Sequence, residues 1–186
     1  MQYDLETTDV SLELFGSDKS KLIDERITKN KETPFLLMLR ASTSAKDFLV
    51  SKKARSITIF IGKGNNGEDG LCLAALLKIE NIKTNVVDLS HKNRSKTHAY
   101  KFCLNLGINI HKFNANKIPN ADWYVDAVFG IGLNRNLTGD YLKAVNFLQC
   151  SGTKKILSLD LPSGLHGSKG NIFNKLVRAT STISFL

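Results

Sequence analysis

Two hydrophobic patterns alternate along the chain: short apolar runs rich in β-branched residues, and longer stretches with apolar residues at helical spacing. The run SITIFIG at 56–62 is typical of a buried strand that ends at a glycine. Five more strands are predicted, at 83–90, 108–113, 121–130, 154–164 and 181–186, and the one at 154–164 ends at Asp160 and runs into a turn. Helices are predicted at 69–80, opened by Asp69, at 92–107, closed by Gly107, and at 138–152, closed by Gly152.

Two further helices are predicted before the first strand, near 17–28 and at 34–51. The second of these has an apolar face made of Leu36, Leu37, Leu39, Ala45, Phe48 and Leu49. The helix at 92–107 has one made of Ala99, Phe102, Cys103 and Leu106. Alternating strands and helices predict an α/β protein whose parallel sheet is covered on both faces. A length of 186 residues favours one domain over 1–186, with a helical lead-in to about residue 55 and an α/β core from about residue 56.

The net charge of +9 is unevenly distributed. The stretch from 91 to 117 has no Asp or Glu and contains Lys92, Arg94, Lys96, Lys101, Lys112 and Lys117. A positive face for a polyphosphate or for nucleic acid is one explanation, and an ordinary solvated helix face is the other. We favour the solvated face, and do not expect nucleic-acid binding, because aromatic residues that could stack on bases are sparse here. His91, His98 and His111 are not at zinc-binding spacing.

The cellular compartment is predicted from the absence of an apolar membrane-spanning run and a signal sequence, and from the spacing of the cysteines. No apolar run approaches the length that spans a bilayer, and the acidic N-terminus does not resemble a signal sequence. Cys72, Cys103 and Cys150 are widely spaced and odd in number, which favours free buried thiols in a reducing compartment. We therefore expect a cytoplasmic protein without membrane contact.

Three predicted strands end in unusual sequences that combine Gly with Asp or Asn. They are GKGNNGEDG at 62–70, VDAVFGIGLNRNLTG at 125–139 and LDLPSGLHGSKG at 159–170. In parallel α/β sheets, ligands bind outside the carboxyl ends of the strands. We therefore expect the three sequences to meet at one edge and to form a site together.

The first of these sequences permits two interpretations. GKGNNG matches the G-x-G-x-x-G signature of dinucleotide-binding dehydrogenases, and Asp88 ends the next predicted strand, where a ribose-binding carboxylate belongs. Glu68 and Asp69, however, would occupy the positive end of the helix and repel a pyrophosphate. A loop that offers amides and carboxylates to hydroxyls or a cation is favoured, and a simple turn with Asp69 as N-cap is the plainer alternative.

Asp126 lies within an apolar strand, where a carboxylate needs either a cation or several hydrogen-bond donors. A cation site and a strand-end Asp that accepts from the next loop remain equally open. Gly130 and Gly132 permit a ligand to approach the backbone closely. Ser163, in the turn after Asp160, is interpreted as an oxygen ligand or a turn-former, because no nucleophile-elbow sequence surrounds it.

Together these motifs resemble one family, the NAD(P)H-hydrate epimerases, also called the YjeF N-terminal domain. Its pattern is roughly G-x-G-N-N-G-G-D-G, then V-D-A-x-F-G-x-G, then D-x-P-S-G, in that order. Here the motifs read GKGNNGEDG, VDAVFGIG and DLPSG. The resemblance implies a three-layer α/β/α Rossmann-like fold and epimerisation of hydrated NADH or NADPH. A partner dehydratase, fused or separate, would then restore the cofactor. The resemblance also implies a bound potassium ion and commonly a homodimer.

The resemblance assigns roles to residues of this chain. Potassium would be held by Asn66, Asp126 and Ser163. The substrate would be lined by Asn65, Asn66, Gly67, Glu68, Asp69, Gly130, Ile131, Gly132, Leu133, Asn134, Arg135, Asn136 and Asp160. The chemistry agrees, since a hard cation suits amide, carboxylate and hydroxyl oxygens. The hydrated carbon bears a hydroxyl beside the ring nitrogen, and we expect Asp160 to assist proton transfer while that hydroxyl is lost and regained.

Several positions depart from the family pattern. Glu68 replaces a glycine, His166 stands where the pattern L-D-x-x-x-G has an aspartate, and Arg40–Ser42 replaces a small Ala-Gly pair on the leading helix. The sequence also ends before the family's last strands, which predicts a trimmed chain or a shortened member. These departures favour an alternative function, a catalytically impaired nucleotide-binding or protein-interaction module. An NAD-dependent dehydrogenase is a third hypothesis, supported by Asp88 alone.

Overall fold

The computed structural model describes residues 34–90, 97–149 and 155–184. Its helices are α1 (Pro34–Ser51), α2 (Asn65–Ile79), α3 (His98–Asn105) and α4 (Gly139–Gln149). Its strands are β1 (Ser56–Ile61), β2 (Lys83–Asp88), β3 (Asn109–Lys112), β4 (Trp123–Ala127), β5 (Lys155–Leu159) and β6 (Ser181–Ile183). The helix predicted near 17–28, Cys150 and Gly152 lie outside the described residues.

All six strands form one parallel sheet in the order β3-β2-β1-β4-β5-β6. This is the strand order of dinucleotide-binding folds, and the direction of the order reverses between β1 and β4. Because the strands are parallel, the loops after β1, β4 and β5 leave the same edge of the sheet. The fold places a crevice where the order reverses, at the ends of the two central strands.

The sheet separates two apolar layers, because successive side chains of a strand point to opposite faces. Ile57, Ile59 and Ile61 of β1 join a core that includes residues of α1, α2 and α3. Phe60 joins the other core, with Tyr124 and residues of α4. Helices thus cover both faces, which confirms the predicted three-layer α/β/α arrangement. None of the helices in the described ranges is long and apolar enough to cross a membrane.

Helix α2 begins at Asn65, so the prediction that Asp69 opens a helix at 69–80 is wrong. Gly64 is the N-cap and provides no capping side chain, while the amides of Gly67 and Glu68 donate to its carbonyl oxygen. The first turn is therefore made of Asn-Asn-Gly, residues with weak helix propensity that the sequence pattern assigned to a loop. Asp69 lies inside the helix, and its carbonyl oxygen accepts from the buried hydroxyl of Ser42 in α1 (2.9 Å).

Strands β4 and β5 both end where the site residues begin. β4 stops at Ala127 rather than at 130, and the Asp126 carboxylate accepts from the amide of Val128 just beyond it. β5 stops at Leu159, and Asp160 ends this strand as predicted, because its φ of 63° turns the chain out of the strand. The left-handed backbone of Asp160 is not visible in an apolar pattern.

Other boundaries shift by smaller amounts. β2 ends at Asp88, the predicted strand end for this carboxylate, two residues before the end of the predicted run 83–90. The Asp88 carboxylate accepts from the Ser90 amide and closes a turn (2.7 Å). α3 begins at His98, with Thr97 as N-cap, and residues 91–96 lie outside the described residues. Ala99 and Cys103 are buried as predicted. Leu36, placed on the apolar face of α1, is 41% exposed, so that assignment is wrong.

Candidate active site

Three loops meet at the carboxyl edge of the sheet: the β1–α2 junction at 62–66, the segment after β4 at 128–137 and the turn after β5 at 160–164. The glycines of these loops allow close packing. A Cβ on Gly62 would lie 1.9 Å from the carbonyl oxygen of Val128, and one on Gly70 would lie 2.7 Å from the Cβ of Ala127. The first motif therefore packs directly against the second, as expected for one composite site.

Asp126 is fully buried at the end of β4. Its carboxylate accepts four hydrogen bonds: from the amides of Val128 and Ser163 and from the hydroxyls of Ser158 and Ser163. Burial raises the pKa of this carboxyl, and the hydrogen bonds from Ser163, Ser158 and Val128 oppose that rise. The donors predicted for a strand-end Asp are therefore present, and a nearby cation would favour the charged form further.

Ser163 binds Asp126 through both its main chain and its side chain. The amide donates to Oδ2 at 2.8 Å and the hydroxyl donates to Oδ1 at 2.6 Å. The hydroxyl oxygen accepts in turn from the amide of Phe129 at 3.0 Å. Ser163 thus joins the loops after β4 and β5, and it is 1% exposed. The turn-forming role is present, and an oxygen lone pair remains for a ligand.

Asn66 is 7% exposed in the first turn of α2. Its side-chain Nδ2 donates to the carbonyl oxygen of Leu159 at 3.1 Å. A carbonyl oxygen only accepts, so this contact fixes the orientation of the amide and leaves Oδ1 as the free acceptor. Within the part of the chain that the structure describes, Oδ1 is a buried polar side-chain atom without any hydrogen-bond partner. Such an atom costs free energy unless a donor or a cation meets it.

The oxygen chemistry at this edge fits a hard cation. Asn66 offers an unpartnered amide oxygen, Asp126 a buried carboxylate and Ser163 a hydroxyl, all from loops that meet at one edge. No cluster of three or more His, Cys, Asp or Glu side chains suited to a metal occurs among the described residues. Asn66, Asp126 and Ser163 are all oxygen donors, the ligand type that hard cations prefer.

Asp160 holds a fixed carboxylate directly after the end of β5. It has a φ of 63°, its amide donates to the carbonyl oxygen of Ile183, and it is partly exposed. Its Oδ2 accepts from the amide of Ile131 at 2.9 Å. Gly130 makes room for it, since a Cβ there would lie 2.1 Å from that oxygen. The loop after β4 thus fixes the Asp160 carboxylate, which remains accessible to solvent or to a ligand.

Comparison with known proteins identifies the family. The family model described as "YjeF-related protein N-terminus" matches residues 12–186. The chain belongs to this family. The YjeF-related chain is 30% identical to an NAD(P)H-hydrate epimerase of Lentilactobacillus buchneri, over 89% of this chain and 79% of that protein. It is 28% identical to one of Limosilactobacillus reuteri, over 81% of this chain and 73% of that protein.

One similar protein is much longer than this chain. It is a bifunctional NAD(P)H-hydrate repair enzyme of Dictyoglomus turgidum, 30% identical over 90% of the YjeF-related chain, which spans only 34% of its length. The crystal structure of the yeast protein YNL200c superposes with a TM-score of 0.77 at 21% identity, covering 92% of this chain and 79% of that one. At that identity the likeness establishes the fold, and it confirms the Rossmann-like architecture.

The remaining residues of the predicted substrate site lie on the same edge in different degrees of burial. Gly67 and Leu133 are buried, and Glu68, Asp69, Gly130 and Ile131 are partly buried. Asn65, Gly132, Asn134, Arg135 and Asn136 are exposed. Burial is the main cause of the raised pKa of both Cys72 and Cys103, and the Glu68 carboxylate contributes to it.

Three residues that sequence reasoning missed support the site. Ser158 lies opposite Asp126 in the β4–β5 register and donates to it at 3.0 Å. Asn174 binds both backbone groups of Leu137, with Oδ1 accepting at 2.8 Å and Nδ2 donating at 2.9 Å. Gly167 packs against Ile131. Ser158 could have been found from the sequence, because a serine within an apolar strand is unusual. Asn174 and Gly167 contact loops that are distant in sequence, so no local pattern indicates their role.

Proposed function

We propose that this chain is an NAD(P)H-hydrate epimerase, which interconverts the R and S forms of hydrated NADH and NADPH. The observation that carries the proposal is the Asp160 carboxylate, held at a left-handed backbone position by the Ile131 amide and open to the crevice. Membership of the YjeF-related family and the names of the relatives from L. buchneri and L. reuteri support it.

The reaction needs one group that gives and takes a proton. Asp160, in its protonated form, donates to the hydroxyl on the hydrated carbon, and the C–O bond breaks as the ring-nitrogen lone pair forms a C=N bond. Water then adds to the opposite face of the same carbon and returns a proton to the carboxylate. Atoms and charge balance, because one water leaves and one is added, and only the configuration changes.

The surrounding residues orient the substrate in this proposal. The amides and side chains of 65–69 and 130–136 line the crevice, with the exposed Arg135 and asparagines able to reach the phosphates and hydroxyls of a nucleotide. Potassium would be held by Asn66, Asp126 and Ser163. It would neutralise the buried Asp126 carboxylate and supply a fixed positive charge beside the substrate. The unpartnered Asn66 oxygen supports this assignment.

The partners follow from the same proposal. A dehydratase, fused or separate, would use one epimer, and the name of the bifunctional repair enzyme from D. turgidum supports a fused arrangement. A homodimer is proposed on the resemblance alone. The cytoplasm suits buried free thiols such as Cys72 and Cys103.

The test starts from one purified hydrate epimer and follows its conversion by chromatography. We expect conversion above the spontaneous rate in potassium, and a large loss when tetramethylammonium replaces potassium at the same ionic strength. Asp160→Asn provides the inactive control. A folded wild-type sample that gives only the spontaneous rate would overturn the epimerase and leave the nucleotide-binding or protein-interaction module as the function to test.

A further inference from the structure

The segment that follows Ser163 forms a small hairpin, residues 165–172, which we call the brace. Its strands meet at an antiparallel bridge between Leu165 and Ile172. The His166 amide donates to the Asn171 carbonyl at 2.8 Å, and the Gly170 amide donates to the His166 carbonyl at 3.1 Å. The brace is therefore an ordered turn built around His166.

The imidazole of His166 also takes part in the turn. Its Nδ1 accepts from the amides of Ser168 at 3.2 Å and Lys169 at 3.4 Å. The ring stacks on Phe173, with centroids 5.6 Å apart and planes 21° apart. The geometry therefore assigns Nδ1 as the acceptor nitrogen and, in the neutral ring, Nε2 as the N–H. The charged group of the turn itself is the ammonium of Lys169.

The brace packs against the loop after β4, whose Ile131 amide donates to Asp160. At Gly167 the backbone lies so close to Ile131 that a Cβ would be 3.1 Å from its Cα and 3.2 Å from its Cβ. The amide of that same Ile131 donates to Asp160 Oδ2 at 2.9 Å. A continuous line of contacts thus runs from the His166 ring, through the turn and Gly167, to the Asp160 carboxylate.

We propose that His166 is a positioning residue for Asp160. Its Nδ1 closes the turn that holds Gly167 against Ile131, and this contact aims the Ile131 amide at the carboxylate. The proposal rests on the epimerase function of the same site. It also gives a structural role to the histidine at 166, where the family pattern has an aspartate. An aspartate accepts amide hydrogen bonds through a carboxylate oxygen, and His166 keeps an acceptor at that position instead of losing it.

Two substitutions separate the acceptor from the aromatic ring. His166→Asn keeps an acceptor that suits such turns and loses the stack on Phe173. His166→Phe keeps the stack and loses the acceptor. We expect His166→Asn to retain kcat within about twofold, and His166→Phe to lower kcat on the order of 10-fold or more with a smaller change in KM, because small misplacements of a catalytic group are costly.

The matched controls are His111→Asn and His111→Phe at an exposed histidine of β3, which should both behave as wild type. A His166→Phe variant as active as wild type would overturn the proposal. So would a His166→Asn variant as impaired as His166→Phe, because the ring rather than the acceptor would then matter. Thermal unfolding of each variant shows whether a rate change accompanies loss of the fold.

Nitrogen NMR of the wild-type histidine ring provides a readout that does not depend on activity or on a variant folding. We expect the proton of the neutral His166 ring to lie on Nε2 and not on Nδ1. A proton on Nδ1 would overturn the proposal even in an active enzyme. If the wild type fails to epimerise, the proposed function is wrong. Two NMR measurements then still decide whether His166 positions the Ile131 amide: the tautomer of the wild-type ring, and the change in the chemical shift of that amide in His166→Phe.

Discussion

Asp160 combines a strained backbone with a partly exposed carboxylate. A φ of 63° is uncommon for a residue with a side chain, although Asp and Asn adopt it more readily than most. Such positions persist only where the surroundings enforce them, and they concentrate at functional sites. Here the Ile183 carbonyl, the Ile131 amide and the space left by Gly130 all fix the residue. Its geometry is therefore set before a substrate binds.

Asp160→Asn tests the chemistry while keeping this geometry. Asn tolerates the left-handed backbone, and its Oδ1 can accept from the Ile131 amide, so only the proton-transfer ability is removed. We expect kcat to fall on the order of 10²- to 10⁴-fold with little change in KM, measured by chromatography of the two epimers. Asp140→Asn, at the exposed ion pair with Lys143, is the matched control. A comparable loss of binding and rate, or no loss, would remove Asp160 from its catalytic role.

Cys72 and Cys103 lie beneath the site and should be chemically inert. Burial raises the pKa of each thiol to about 12, and the nearby Glu68 carboxylate adds to the rise for both. The thiolate is the reactive form, so both residues should resist iodoacetamide at pH 8 in the native protein and react in urea. Peptide mass spectrometry separates the sites. Rapid native labelling of either residue would contradict the burial of this layer.

Among the elements, α2 is fixed most closely to the sheet. Gly70 faces β1 and β4 with no room for a side chain: a Cβ there would lie 2.7 Å from the Cβ of Ala127 and 2.9 Å from Cγ2 of Ile61. Ser42 ties α1 to the same helix through the Asp69 carbonyl. Ser42, within the segment Arg40–Ser42 where the family pattern has a small Ala-Gly pair, thus joins the two helices by a hydrogen bond. The first turn of α2, with Asn66, is held in place by this packing.

Gly70→Ala should push α2 away from the sheet. Overpacking of this kind costs about 1–3 kcal/mol, and we expect that loss in the free energy of unfolding measured with urea, at an unchanged m-value. Gly132→Ala is the control, because a Cβ there meets no atom within 4 Å, and its effect should stay within about 0.5 kcal/mol. Equal stability of the two variants would show that α2 can shift without cost.

The far end of the loop after β4 is held by Asn174, which binds both backbone groups of Leu137. Asn174→Asp removes the donor and places a carboxylate against the Leu137 carbonyl oxygen. We expect KM for the hydrate to rise roughly fivefold, since one such hydrogen bond is worth about 1 kcal/mol, with a smaller effect on kcat. Asn116→Asp, on an exposed turn, makes the same change in charge and should leave KM unaltered. An unchanged KM in Asn174→Asp would mean that the hydrogen bonds between Asn174 and Leu137 do not position the loop after β4 for substrate binding.

On the scale of the whole molecule, the pattern of the sequence determines the sheet well and the loops poorly. Buried β-branched runs such as 56–61 predicted strands because a parallel strand is apolar on both faces. The start of α2 was missed because Asn65–Gly67 are poor helix formers that tertiary packing holds in a helix. The site residues were named from motifs, whereas Ser158, Gly167 and Asn174 join segments distant in sequence and become visible only when the sheet is assembled.

The proposed cation links the site to the stability of the whole fold. An ion that binds only the folded protein raises its stability, by about 1.4 kcal/mol when its concentration is ten times Kd. For a chain of this size, we expect Tm to rise by roughly 3–5 °C as potassium replaces tetramethylammonium at constant ionic strength. Asp126→Asn removes the charge at the centre of the donor set and should abolish most of this response. Asp47→Asn, at an exposed aspartate of α1, should keep the full response. If Tm of Asp126→Asn still rises with potassium, the cation binds elsewhere. If Tm of the wild type does not rise, potassium does not bind this site, and the unpartnered Asn66 oxygen would accept a hydrogen bond from the substrate instead.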